Sequence, residues 1–481
     1  MKKFIALFLV LLNMILICGC SDNSASAIVY YGVITPPTTL DPQLASTVTE
    51  LTLVKNLYEG LMREDKNGDI VPAAAQTVDK NGNTYTFKIS ENACWSDGSP
   101  VTAEDFLFGI KRALDPITNS PSATSLYIIK NAEAVHKGTL SPKSLGVTAP
   151  DSSTLIIETT ADADTLYSAL TLSVAMPCKR SFFEESKGKY GMSKETMLSN
   201  GSFKLTKWAT EDFAMRIYRS STYKGDFSAK ISAVFLSKDK KETNLQRLSK
   251  NKIDIAEIEV NEIAKAEQKG LNTLTVPNTV WLMKIGDGYS ATMKTALFSS
   301  LIVYNDKVTD YPEGITPAIN LYPDFFENSQ KINVYNIEQA KAGYKNEVAA
   351  FKNGELPEKT LYFEDKHGIE EVMKKIAGHW QQNLGAYINI SGLTSVNQVK
   401  AKSGDYSIIV YSEEITTPDY NKYAKIFGLG SSNNISENIL KGNIMPIAYS
   451  GTVLAYNNSL ENLSPEDAAS LIDFSNINKN Q

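Results

Sequence analysis

From residue 28 onward the hydrophobic period changes repeatedly, and no single period lasts long. Ile28-Val29-Tyr30-Tyr31 reads as an opening strand, broken by Pro36 and Pro37 and turned at Asp41-Pro42. Leu51, Val54, Leu57 and Leu61 then recur at helical spacing behind Thr47-x-x-Glu50, a capping-box pattern. After the Asn81-Gly82 turn, alternation over residues 85–89 predicts a strand with one buried face. Trp95-Ser96-Asp97-Gly98 forms a turn, and Thr102 is placed to cap the next helix. Glu104 and Asp105 lie in the first turn of that helix, where its dipole favours anions. Phe106, Ile110 and Leu114 give it an apolar stripe, and Pro116 stops it. Thr154 to Glu158 predicts a further strand. A helix over Ile369, Val372, Ile376, Trp380 and Leu384 is expected to stop near Gly385, with a strand over 386–390 directly after it. This mixture predicts an α/β (mixed α+β) protein without internal repeats. At roughly 150 residues per domain, 481 residues correspond to about three domains. With 42% hydrophobic and 21% charged residues, the chain can build a core and is neither collagen-like nor disordered.

Ahead of this body, Lys2 and Lys3 precede an apolar run over residues 4–17. The run is shorter than the ~20 residues of a spanning helix and reads as a secretory signal. It ends in Ile17-Cys18-Gly19-Cys20, which resembles the bacterial lipobox, although Cys18 stands where Ala, Ser or Thr is commoner. The resemblance implies a signal peptide over 1–19, lipidation of Cys20, and a small polar tether over 20–27. The alternative is a plain secretory signal with two incidental cysteines. Loss of residues 1–19 would take Lys2 and Lys3 with it, moving the net charge from −6 to −8. Cys94 and Cys178 remain, either as one disulfide or as two buried thiols.

Six fragments in order resemble the family 5 extracellular solute-binding proteins, the oligopeptide-, dipeptide- and nickel-binding receptors of ABC importers. They are LDPQ (40–43), NLYEGLM (56–62), NGDIVPAAA (67–75), NTYTFKI (83–89), WSDGSPVTAEDF (95–106) and KRALDP (111–116). Fainter matches follow at 151–160, 200–205, 251–258, 369–390 and 445–463. The resemblance implies a two-lobed, periplasmic-binding-protein-like fold with three domains, of which domain I is discontinuous. Its parts are expected at 28–58, 173–270 and 441–481. Domain II is expected at 59–172, and a shortened domain III at 271–440. Ligand would be enclosed between domains I and III and held largely through main-chain hydrogen bonds.

By the same resemblance, Thr47 and Val48 lie where family members offer main-chain contacts, and Glu257 and Trp281 are candidates from other segments. The region YSEEITTPDYNKY (411–423) corresponds to an Asp-Tyr-x-x-Pro element whose Asp pairs with a ligand amino group. Here Thr416 takes the Asp position, and a neutral hydroxyl cannot supply that charge-assisted bond. Glu413, Glu414 or Asp419 could substitute, or could be solvated loop charges. Trp281 and Met283 could line the cleft or pack in the core. The segment 293–306 lacks most polar markers of the family helix it stands for, and the chain between 427 and 446 looks short.

No G-x-S-x-G, H-E-x-x-H, P-loop or paired C-x-x-C is present. The adjacent acidic pairs 184–185, 370–371 and 413–414 do not face one another on a helix or strand. His136, His367 and His379 are dispersed, and His379 is expected to be exposed. No enzyme activity, metal or cofactor is therefore expected. With no basic block, nucleic acid is not an expected partner. The expectation is a monomeric, lipid-anchored, extracytoplasmic receptor that delivers oligopeptides to ABC permease and ATPase subunits. The alternative is a receptor-fold lipoprotein whose degenerate cleft serves surface interaction or signalling.

Overall fold

The computed structural model describes residues 27–160, 162–304, 311–312, 314–319, 331–332, 334–350, 359–366, 368–404, 407–414, 444–463 and 471–480. Cys20, His367, Thr416, Asp419 and residues 427–443 of the short stretch before Pro446 lie outside them.

One eleven-stranded sheet runs through the molecule. In chain order its strands are β1 Ile28–Gly32, β2 Phe203–Ala209, β3 Ala214–Arg219, β4 Ala233–Ser237, β5 Ile255–Ile258, β6 Asn272–Ile285, β7 Ile315–Pro317, β8 Thr360–Glu364, β9 Asn389–Leu393, β10 Ile408–Glu414 and β11 Ile444–Tyr456. In space they are ordered β9-β8-β10-β6-β11-β5-β1-β4-β3-β2, with β7 paired to β11. β1 is parallel to both β4 and β5, and β8 is parallel to both β9 and β10. The fold is mixed α/β, as the changing hydrophobic period predicts.

Two main cores flank the crossing of β6 and β11 and define two lobes. One gathers Val29, Tyr31, Val54, Leu57, Phe87, Trp95, Phe106, Ile217, Leu274, Val276, Leu454 and Phe474. The other gathers Val280, Trp281, Met283, Phe298, Phe363, Ile376, Trp380, Val410, Met445 and Tyr449. β6 leaves the first core at Val276 and enters the second at Val280. β11 makes the reverse passage between Tyr449 and Leu454.

The helix Val48–Leu57 begins with the expected capping box. Its N-cap Thr47 accepts from Glu50 N, and Glu50 reaches back to the cap. Leu61, whose spacing predicts a place on that helix, lies beyond its end at Leu57. Tyr58 turns extended at the C-cap, with its phenol against the Tyr190 hydroxyl at 3.1 Å. The helix Ala103–Ala113 carries the second capping box, from Thr102 and Asp105. It packs on an antiparallel sheet of Ala75–Asn81, Thr84–Ile89, Thr154–Glu158 and Val147–Asp151. At Gly109 an added Cβ would run into the Met176 carbonyl, so the close approach there requires glycine.

The fragments that carry the family resemblance turn out to be one another's partners. Arg112 donates Nη2 to Asp41 Oδ2 at 2.6 Å and Nη1 to Gln43 Oε1 at 2.7 Å, joining KRALDP to LDPQ. Phe183 lies over its guanidinium at 4.1 Å. Trp95 Nε1 donates to Asp105 Oδ2 at 3.1 Å, joining the two ends of WSDGSPVTAEDF.

Three local expectations need correction. The strand after Gly385 is Asn389–Leu393 rather than 386–390, because Gly385 N and Ala386 N are spent closing the helix end on Gln381 O and Trp380 O. The sequence of residues 476–481 reads as a frayed end, but 476–480 pack into the fold. Asn478–Lys479 pairs with Leu460–Glu461, and Lys479 Nζ reaches Asp254 at 2.7 Å and Ile28 O at 2.8 Å. His379 is half-buried, with Tyr335 Oη at 3.4 Å and Asn383 Nδ2 at 3.2 Å. Cys94 and Cys178 are free thiols, and burial pushes that of Cys178 up to about 11.

The returning tail is also stitched to residues 59–63. Arg63 Nη2 donates to Asp473 at 2.5 Å, leaving Glu59 3.9 Å from the guanidinium. Burial pushes the Glu59 carboxyl up to about 7, against the opposing pull of the Tyr223 hydroxyl and Arg63. A raised carboxyl pKa gives stability that is complete below pH ~4.5 and is lost as pH rises through about 7. Asp473, held at about 2 against burial by Arg63 and Lys55, contributes nothing to that window. Glu59→Gln should therefore flatten the pH dependence of urea unfolding between pH 5 and 8. It should stabilise most at pH 8, on the order of 2 kcal/mol.

Candidate functional site

Both lobes direct the carboxyl ends of their parallel strands at the crossing. In open α/β sheets ligands bind outside those ends. On one side β5 ends at Ile258, opposite Val453 of β11. On the other, β10 ends at Glu414, opposite Thr279 of β6, and Thr279 in turn faces Ser450. From Ser450 to Val453 is roughly 10 Å of strand.

The crossing itself is irregular. β6 and β11 pair through Val276↔Thr452 and again through Thr279↔Ser450, so two residues of β6 face Gly451 alone. Pro277 brings no N–H to this bulge. Asn278 replaces the missing ladder with its side chain. Its Oδ1 accepts from Thr452 N at 3.2 Å, and its Nδ2 donates to Thr452 Oγ1 at 3.1 Å. Sequence reasoning missed Asn278, since nothing in a lone Pro-Asn marks which strand lies opposite.

On the first lobe, Glu257 sits at the end of β5 and is 5% exposed. It accepts from Ile34 N at 2.7 Å, Thr49 Oγ1 at 2.7 Å and Tyr31 Oη at 3.3 Å. Burial raises its pKa, and these donors oppose the rise. The carboxyl thus clamps the loop after β1 onto the helix Val48–Leu57. Thr47 and Val48, half-buried at the start of that helix, are held by the same arrangement. Glu50 organises the approach by accepting from Thr38 N at 2.9 Å, Ser46 N at 3.1 Å and Thr47 N at 3.2 Å. Burial would raise the Glu50 carboxyl, but these donors outweigh it and hold it below the usual range.

On the second lobe, Trp281 and Met283 are fully buried in the core. Trp281 Nε1 donates to Ser450 Oγ at 2.9 Å, which ties the lobe's base to β11 at the crossing. Glu364, at the end of β8, accepts from Ser412 Oγ at 2.6 Å and pairs with Lys366 at 3.2 Å. Glu413, half-buried, pairs with Lys400 at 2.7 Å, and Lys400 also lies 4.5 Å over the Tyr411 ring. Burial, with Glu413 nearby, pushes the Tyr411 phenol up to about 12. The structure thus brings Thr47, Val48 and Glu257 together on one side and Glu413 to the other. Thr416 and Asp419 fall in the undescribed connection that follows β10. Among the described residues no cluster of three or more His, Cys, Asp or Glu side chains is arranged to hold a metal ion.

Residues 69–434 match the family model for bacterial extracellular solute-binding proteins, family 5 Middle. The chain belongs to this family. Its members are solute-binding receptors of transporters rather than enzymes. The chain is 26% identical over 431 residues to the periplasmic murein peptide-binding protein MppA of Escherichia coli, covering 85% of this chain and 78% of that one. It is 25% identical over 417 residues to the oligopeptide-binding protein OppA of Bacillus subtilis, covering 81% and 75%. In fold it is similar to Haemophilus influenzae OppA crystallised with the peptide RPPGFSPFR, with a TM-score of 0.71 at 20% identity over 94% of this chain and 99% of that one.

If Glu257 is a clamp, replacing it should loosen a defined loop. Glu257→Gln leaves one of its buried donors facing an amide nitrogen. The expected cost is about 1–3 kcal/mol in urea unfolding, with faster amide hydrogen exchange at Ile34. Unchanged exchange at Ile34 would remove the clamp role.

Proposed function

We propose that this protein is a lipid-anchored, extracytoplasmic receptor that encloses oligopeptides between its two lobes and delivers them to an ABC permease. The observation that carries this reading is the convergence of both sets of parallel-strand carboxyl ends on the β6–β11 crossing, in a chain of this family. A peptide lying there in extended form would pair with main chain near Thr47 and Val48. Its amino group would be met by Asp419 or Glu413, since Thr416 has no charge to offer. Glu413 would first have to release Lys400. In domain terms we assign 28–58, 173–270 and 441–481 to domain I, 59–172 to domain II and 271–440 to domain III. Binding involves no bond chemistry. Ligand shifts the lobes toward closure only by contacts that the closed state makes better than the open one. Hydrolysis of ATP would belong to partner subunits.

The burial of Trp281 and Met283 and the neutral Thr416 favour a second reading, a receptor-fold lipoprotein acting in surface interaction or signalling. Titration of the refolded, ligand-free protein with a mixed peptide pool, paired with small-angle scattering, separates the two. The first reading expects heat on mixing and a smaller radius of gyration. It also expects weakened affinity in Asp419→Asn or Glu413→Gln. No heat and no compaction would favour the second. If peptides bind and neither variant changes affinity, the substituted-anchor idea is wrong.

The anchor is tested separately by growing cells with a fatty-acid probe. Label should appear on the wild type and disappear in Cys20→Ala. An unlabelled wild type, or label that survives the substitution, would leave a plain secretory signal.

A further inference from the structure

We infer that the outer face of β2-β3-β4-β1 is a docking surface for anionic lipid headgroups. On these four strands the inward residues Val29, Tyr31, Val234, Leu236, Met215, Ile217 and Phe203 are all buried in the first core. The residues that alternate with them point the other way. Tyr30 is opposite Phe235, Phe235 is opposite Arg216, and Tyr218 is opposite Lys204. Tyr30, 40% exposed, meets Phe235 edge-on at 5.6 Å, and Tyr218 meets Phe235 at 5.6 Å. Arg216 lies 4.7 Å over the Phe235 ring, and Lys207 stands beside Arg216 across the ladder. The result is an aromatic strip edged with cations.

Two observations select the occupant. The first is charge. The chain carries a net −6, yet among the described residues Lys204, Lys207 and Arg216 form no ion pair. Two acids at the ends of the face are already taken, Asp254 by Lys479 and Asp212 by Lys240. An anionic surface would therefore meet unneutralised cations. Aromatic rings with polar edges suit the same headgroup layer. The second is position. Ala27 enters β1 beside Ser232, whose amide donates to the Ala27 carbonyl at 2.8 Å, at the end where β1 and β4 both start. Six residues separate Cys20 from Ala27, so the seven steps between them span at most about 25 Å. Here the inference rests on the N-terminal anchoring proposed above. A chain held at Cys20 keeps this face within reach of the bilayer, while the ligand crossing lies at the opposite, carboxyl ends of the same strands.

The test uses the full chain with vesicles of phosphatidylcholine alone or with phosphatidylglycerol added. Flotation with phosphatidylcholine vesicles reports anchoring. Acetylation of individual lysines, read by mass spectrometry, reports the face. The expected result is that labelling of Lys204 and Lys207 falls at least threefold on the anionic vesicles. Lys143 and Lys374, exposed elsewhere, should not change, and 0.5 M salt should restore the labelling. Lys204→Glu, Lys207→Glu and Arg216→Glu should each lower the excess partition onto anionic vesicles about fivefold, whereas Arg216→Lys should preserve it. Flotation failing on phosphatidylcholine, with Lys204 and Lys207 still protected on anionic vesicles, would defeat the anchor and keep the docking face. Equal labelling on both vesicles, uniform protection of all lysines, or protection that appears only when a permease is added would overturn it.

Discussion

The ladder between β6 and β11 is the constraint on which the two-lobed arrangement depends. Each strand belongs to both cores, so each lobe is built partly from the other's continuation. The pairing is antiparallel, so the two strands traverse the crossing in opposite directions. Rotation of one lobe against the other would be absorbed where the ladder is interrupted, at residues 277–278 opposite Gly451 and again at Ile447 between the Trp281 and Leu282 pairings. A regular ladder would resist such rotation along its whole length. A bulge concentrates it, and the Asn278 side chain keeps the gap from losing all its hydrogen bonds.

Around this crossing, buried charges are used to fasten distant segments, each with its partner beside it. Arg112 holds Asp41, Arg63 holds Asp473, and Glu257 is satisfied by three donors from two other segments. An unpaired charge at any of these places would cost several kcal/mol, whereas a satisfied one costs far less. The stitches therefore specify which segments meet more than they add net stability. They also explain why segments far apart in sequence form one lobe. Asp41 and Arg112 stand 71 residues apart, and Arg63 and Asp473 stand 410 apart.

Local chemistry was the legible part. Both capping boxes, the Pro116 stop, the Gly385 cap and the strands near 28, 85 and 154 depend on neighbours within a few residues, so the chain carries their cause in one place. The family fragments were legible as an ordered pattern, though their meaning as mutual hydrogen-bond partners was not. What remained hidden depends on chain returning from far away. The final strand pair needs Leu460 to find Lys479, and the Asn278 stitch needs β11 opposite. The candidate site divides in the same way. The Thr47 cap was legible, whereas Glu257 reads from sequence only as an acid in an apolar strand. That it faces three donors is a fact of packing.

The burial of Trp281 bears on how the lobes can communicate. Its ring lies inside the second core, while its indole N–H is spent on Ser450 of β11, one residue from Gly451. A ring so packed cannot adjust without disturbing the side chains around it, because interiors are close-packed. Movement of β11 at the crossing is therefore coupled to the base of the second lobe through a rigid group. The first lobe has its own counterpart in Glu257, which ties the helix start at Thr49 to the end of β5 beside Val453. In the receptor proposed above, a ligand resting against Thr47 and Val48 on one side, and against the end of β10 on the other, would act on both ends of a short stretch of β11. That stretch, residues 450–453, is where such contact would be converted into a change in lobe angle.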